Sequence, residues 1–168
     1  MQELILHIPN EMFVPGAIKK VNGTFHTSKI SNNTDTYKLM CDVEYNLDLT
    51  NTGDAFLLKG AVNTKAKTSC SRCLEDIEVE LTGKVDAFYI INGEPDYENE
   101  LLPSSHDINL GELICASLIV DAPLKPLCKE DCKGLCPQCG KNLNEEKCDC
   151  KPESTSPFAV LKDFKFEG

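Results

Sequence analysis

The chain has no tryptophan, only three histidines and, among its 17 basic residues, a single arginine, Arg72. His7, His26 and His106 are scattered and no HExxH occurs, which argues against a catalytic zinc; they read as surface or strand-end residues. A Gly-rich phosphate loop and a nucleophile elbow are both missing. No apolar run approaches the roughly 20 residues of a membrane helix. The N-terminal MQELILHIPNEMF has no basic flank and too short an apolar stretch for a signal peptide. The expected location is therefore cytoplasmic, with no membrane partner. Positive charge is also scarce: 27 acidic residues against 17 basic ones give a formal charge of −10. Such a surface repels nucleic acid unless a basic patch is segregated from the rest, and no DNA partner is expected.

What is present suits a globular protein. The 168 residues are 41% hydrophobic and 26% charged, enough for one domain with a core and a small appendage. Residues 94–107 carry five acids and no base, and read as an exposed acidic loop. The segment Lys125–Lys151 holds six lysines against five acids.

From Tyr37 to Leu49 every odd position is apolar or cysteine and the even positions are nearly all polar, the period of a half-buried strand. Asn51-Thr52-Gly53-Asp54 suits a turn. A second run places Leu58, Val62, Ala66 and Cys70 on one face, with Lys59, Asn63, Lys65 and Lys67 on the other. After CSRCLED the alternation resumes from Ile77 to Ile91. Three such strands make an antiparallel meander, with Lys65 and Lys67 opposite Glu78 and Glu80 and the Cys70–Cys73 pair at a hairpin tip. ELILHI and Thr24–Ile30 are weaker strand candidates. Asp107-Ile108-Asn109 offers an N-cap for a helix over about 109–121, with Leu110, Leu113, Ile114, Ser117 and Leu118 at helical spacing and Pro123 beyond its end. The fold expected is α+β: an antiparallel β-meander or open barrel with one packed helix and a C-terminal Cys-rich zinc-knuckle segment. Its divisions are 1–124 for the sheet and helix, 125–151 for the Cys-rich metal-binding segment, and 152–168 for a linker and apolar patch.

Ten cysteines in a chain without an export signal read as metal ligands or redox centres rather than disulfides. Six fall between Cys128 and Cys150, in CKEDCKGLCPQCGKNLNEEKCDC. In CPQCG two thiolates two residues apart grip an ion from one turn, and Gly140 allows the backbone to approach the sulfurs. Cys148 and Cys150 would complete a four-thiolate site with Cys136 and Cys139. By elimination Cys128 and Cys132 would join Cys70 and Cys73 in a second site, giving one or two structural zinc ions in all. An alternative groups Cys128, Cys132, Cys136 and Cys139 and leaves Cys148 and Cys150 spare. Cys41 and Cys115 fall on apolar faces and are expected to be core thiols. A closed four-cysteine site serves folding and leaves no position for substrate, so no enzymatic activity is expected. The competing reading is a cytosolic thiol redox protein using Cys70 and Cys73; redox motifs of that type open a helix, whereas this pair joins two strands.

Four features in order, CSRCLE, the acidic loop with the INLGELI helix, the Cys-rich tail and the closing SPFAVLKDF, resemble the YceD family of large-subunit ribosomal RNA accumulation proteins. The likeness runs from about Cys70 onward. It implies a non-catalytic role in assembling the large ribosomal subunit. It also suggests as partner a large-subunit assembly component: a basic ribosomal protein, which suits the acidic charge, or secondarily rRNA held by Lys133, Lys141 and Lys147.

Overall fold

The structure, a computed structural model, describes residues 3–31, 36–91 and 100–150. In chain order its elements are β1 (Ile5–His7), a 3-10 turn (Asn10–Phe13), β2 (Ile18–Phe25), β3 (Lys29–Ser31), β4 (Thr36–Leu39), β5 (Val43–Asn51), β6 (Ala55–Ser69), β7 (Asp76–Ile90), β8 (Glu100–Leu101), β9 (Asp107–Asn109) and α1 (Leu110–Asp121). Residues 94–99 of the acidic run 94–107, and the linker and apolar patch of 152–168, lie outside the described residues.

The main sheet is built around β6. One of its edges pairs β7 along all 15 residues; the other is shared by β5, over Phe56–Asn63, and by β4, at Ala66 and Lys67. β2 continues the sheet beyond β5, β3 beyond β4, and every one of these pairings is antiparallel. β8 adds to β7 in parallel, and β1 with β9 forms a separate two-stranded ribbon. Among the described residues β2 and β3 end the sheet without pairing, so it is open and not a closed barrel.

Alternation decides which side is covered. Along β5, Val43, Tyr45, Leu47, Leu49 and Asn51 are buried while Glu44, Asn46 and Asp48 are exposed. Phe56, Leu58, Val62 and Ala66 of β6 and Leu81 and Val85 of β7 continue the same buried face. The helix α1 lies on it through Leu110, Ile114 and Leu118, with Asn109 as its N-cap accepting from the Glu112 amide at 3.4 Å. Each fully buried Leu or Ile stabilises the fold by about 1.5–3 kcal/mol. Phe13, from the 3-10 turn, closes the far end of this core edge-on against Phe56 at 5.1 Å. The two lysines do face the two glutamates, and the register makes the pairs Lys65–Glu80 at 3.3 Å and Lys67–Glu78 at 3.5 Å, each exposed and so stabilising by only a few tenths of a kcal/mol.

Two expectations are corrected here. The run Tyr37–Leu49 is not one strand. Leu39 pairs Ala66 and Glu44 pairs Asn63, so residues 40–43 of one strand face only 64 and 65 of its partner. The surplus of two makes a bulge, held by the Met40 amide on the Lys65 carbonyl and the Thr64 hydroxyl on the Cys41 carbonyl. Cys41 therefore sits exposed on the bulge and is not a core thiol. Cys115 is only half-buried, at an open groove between α1 and β3, where burial and the Glu112 carboxylate push its thiol pKa up.

Gly83 sets how closely the helix lies on β7. A Cβ there would stand 2.8 Å from the Ser117 carbonyl carbon and 2.9 Å from the Leu118 nitrogen, both backbone atoms unable to yield alone. Gly83→Ala is expected to lower stability by about 1–3 kcal/mol in denaturant titration. An unchanged midpoint would mean that the helix rides higher over the sheet than this.

Candidate metal centres

The turn between β6 and β7 is a knuckle. The Cys70 amide donates to the Glu75 carbonyl (2.8 Å) and the Leu74 amide to the Cys70 carbonyl (2.9 Å), folding the two cysteines to one side. Residues 136–141 repeat the pattern: the Cys136 amide donates to the Lys141 carbonyl (2.8 Å) and the Gly140 amide to the Cys136 carbonyl (2.9 Å). Both turns require a left-handed residue directly after the second cysteine. Gly140 supplies it at φ 72°, while Leu74 adopts it at φ 62°.

The tail then folds back onto the first knuckle. The Ser71 amide donates to the Pro126 carbonyl, and the Leu135 amide to the Arg72 carbonyl. Arg72, the lone arginine, reaches across with Nη1 to the carbonyls of Cys132 (2.8 Å) and Glu130 (3.2 Å). Gly134 sits so close that a Cβ would come within 2.9 Å of the Arg72 carbonyl oxygen. Asn142 donates to Glu75 at 2.7 Å, and Asn144 donates to the Cys132 sulfur at 3.3 Å. Arg72, Asn142 and Asn144 were not singled out from sequence as part of the site. The available signals were a solitary arginine between paired cysteines and the Asn-Leu-Asn that follows CPQCGK.

The result is two sets of four sulfurs, each set mutually within 4.8 Å: Cys70, Cys73, Cys128 and Cys132, and Cys136, Cys139, Cys148 and Cys150. The alternative set of Cys128, Cys132, Cys136 and Cys139 is not the one assembled. Cys70 and Cys132 lie 3.9 Å apart and Cys73 and Cys128 3.6 Å apart. A tetrahedron of thiolates at about 2.3 Å from a central ion has edges of about 3.8 Å, so the first set fits one ion without rearrangement. Cys70, Cys73 and Cys132 are buried and backed by Ile77, Leu127 and Leu135. The second set is more open, with Cys139 and Cys150 exposed.

Burial opposes ionisation of Cys70, yet amides of Cys73, Arg72 and Cys128 outweigh it and bring the thiol pKa down to about 6. At Cys136 the amides of Cys139 and Gln138 do the same, to about 6. At Cys73 the Glu75 amide favours the thiolate, but burial and the neighbouring thiols prevail and raise it to about 12. Cys139, then burial, push Cys150 up to about 12. Within each set, amide donors favour the thiolate at one cysteine while crowding and burial oppose it at another, an imbalance that a bound cation would relieve.

Cys136→Ser with Cys139→Ser is expected to remove one bound metal ion per chain by elemental analysis. Cys70→Ser with Cys73→Ser should remove one as well, and should additionally expose the tail to limited proteolysis around Lys129 and Lys133. Equal metal content in wild type and the Cys70/Cys73 variant would take the hairpin out of the metal chemistry. The strained left-handed position gives a second expectation. Leu74→Gly should be neutral or stabilising by up to about 1 kcal/mol, whereas Gly140→Leu should weaken its own site by about 1–2 kcal/mol, both read by chelator competition.

The family described as "Large ribosomal RNA subunit accumulation protein YceD" matches residues 58–165, which include most of β6, the hairpin knuckle, α1 and every candidate ligand. An uncharacterized protein of Mycobacterium tuberculosis (strain H37Rv) is 26% identical over 140 residues, 79% of this chain and 67% of its own. A chloroplastic YCED homolog 1 of Arabidopsis thaliana, named a large ribosomal RNA subunit accumulation protein, is 31% identical over 74 residues, 40% of this chain and 23% of the plant protein. Its namesake in Zea mays is 35% identical over 57 residues, 33% and 20% of the respective chains. No solved structure matches. With well over half of its length matched, the chain belongs to the YceD family of large ribosomal RNA subunit accumulation proteins.

Proposed function

We propose that this protein is a non-catalytic factor in large ribosomal subunit biogenesis, stapled by two structural zinc ions and acting by docking an assembly component. The family's description supports the large-subunit role. The observation that carries the non-catalytic reading is the closure of both sulfur sets: each already supplies four protein donors, so an ion held there has no open position for substrate or water. Zinc is favoured because four thiolates at this spacing suit a tetrahedral ion that does no redox chemistry. The redox alternative is disfavoured by the surroundings of Cys70 and Cys73. They join two antiparallel strands rather than opening a helix, and two further sulfurs crowd them.

The partner proposed is a basic large-subunit ribosomal protein, with RNA second. A charge of −10 supplies the complementary field, and Glu130, Asp131, Glu145 and Glu146 stand exposed on the stapled tail. Loss of the protein is expected to lower large-subunit rRNA relative to small-subunit rRNA, and the wild-type gene should restore it while the Cys136→Ser/Cys139→Ser form should not. The purified protein should carry two zinc ions and retain basic large-subunit proteins in a salt-sensitive manner. An unchanged rRNA ratio in cells lacking the protein would sink the reading, as would turnover of a disulfide substrate by the metal-loaded chain.

A further inference from the structure

The covered side of the sheet is a core; among the described residues nothing covers the opposite side. On that open side, at the end nearest the hairpin knuckle, like charges stand in register. Lys29 of β3 pairs Lys38 of β4, and Lys38 pairs Lys67 of β6. Directly paired residues project to one face, and all three lysines are exposed, while their neighbours Ile30, Tyr37 and Ala66 are buried on the other. Neighbouring strands lie about 4.8 Å apart, so the three positions line up across roughly 10 Å.

Like charges placed directly opposite destabilise a sheet. Only Lys67 is offset within the fold, by Glu78 on the next strand, and Lys65 beside it by Glu80. Among the described residues, Lys29 and Lys38 have no carboxylate within ion-pair distance. Ser31 and Thr36, paired in the adjoining row, place two exposed hydroxyls beside them. In a chain with ten more acids than bases, this is a cationic strip whose local repulsion is uncompensated among the described residues.

We infer that this strip binds the phosphodiester backbone of single-stranded RNA. A repeating polyanion matches an evenly spaced cationic row, and phosphate oxygens accept from both ammonium and hydroxyl donors, the two groups offered here. The surrounding acidic surface limits the contact to a few phosphates, so affinity is modest and salt-sensitive. The inference deepens the reading above by giving the docking factor a directly held RNA, and rests on it only for the choice of RNA. A basic protein would dock on the acidic tail while RNA runs over the sheet.

The test uses the full, metal-loaded chain and a labelled single-stranded fragment of large-subunit rRNA in fluorescence anisotropy. Lys29→Gln with Lys38→Gln is expected to make the plot of log affinity against log salt shallower by about 1.4, at about 0.7 per lost phosphate contact. At about 0.1 M salt that corresponds to roughly 25-fold weaker binding. Relief of the like-charge row should leave the thermal midpoint equal to or above that of wild type, which separates lost binding from lost folding. Lys133→Gln with Lys141→Gln should alter RNA affinity less than twofold. The inference is overturned if the wild-type chain binds no RNA, if the Lys29/Lys38 variant binds as wild type does, if the tail variant carries the loss instead, or if poly-glutamate displaces the RNA as effectively per charge as unlabelled RNA. Wild-type protein that sediments with large-subunit precursors yet fails these binding tests would overturn the RNA surface and leave the assembly role standing. Failure to sediment with any ribosomal particle, with rRNA levels unchanged in cells, would remove the assembly role itself.

Discussion

Four sulfurs from two distant stretches of chain meet where the C-terminal segment lies against the sheet, placed so that one ion could staple the two together. Between Leu124 and Cys150 only Pro126, Cys132, Gly134 and Cys136 are buried, and the apolar backing is confined largely to half-buried Leu127 and Leu135. So little apolar burial cannot offset the conformational entropy of ordering some 25 residues, which is of order 1–2 kcal/mol each for the backbone alone. Binding of a structural ion in small zinc modules, at about 10–16 kcal/mol, supplies a term of the right size. The hydrogen bonds of Arg72, Asn142 and Asn144 then act as guides. They aim sulfurs and carbonyls, and their combined strength is small beside that of the ion.

The long hairpin serves this junction. β6 and β7 pair over 15 residues each, and β5 flanks only the half away from the turn, Phe56–Asn63 of β6, which lies opposite Thr82–Tyr89 of β7. The remainder carries the Cys70–Cys73 knuckle out to where the tail can meet it. The one-sided sheet has a second consequence. With α1 and the N-terminal turn filling the inner face, the outer face stays polar, and its charges are arranged in rows set by register. Opposite charges meet between β6 and β7, whereas lysine meets lysine between β3, β4 and β6. The same backbone pairing thus makes one part of the surface self-neutralised and another available to an anion.

The alternation of β5 to β7, the facing of Lys65 and Lys67 by Glu78 and Glu80, a helix cap within Asp107–Asn109 and the hairpin position of Cys70 and Cys73 were all legible from residue order, because each depends on neighbours a few positions away or on a simple period; which lysine meets which glutamate was set by the register. The bulge at 40–43 was not. A surplus of two residues preserves parity, so Leu39 and Val43 face inward on either side of it and the pattern of odd positions runs on unbroken. Cys41 was misplaced for that reason. Cys115 was misplaced because a helical period says which face a residue shares, not how far the neighbouring strand extends to cover it.

Spacing by itself determined that the cysteines occur as closely spaced pairs, and that at least one pair, with Gly140 after it, forms a tight turn around its sulfurs. Which pairs share an ion was decided only by the tertiary structure. Residues 73 and 128 have no local relationship; they meet because the sheet, the helix and the Pro126 contact return the chain to the hairpin tip. The lysine row arose the same way. Lys29, Lys38 and Lys67 are unremarkable in order along the chain, and become a charged strip only when three strands pair with those positions abreast.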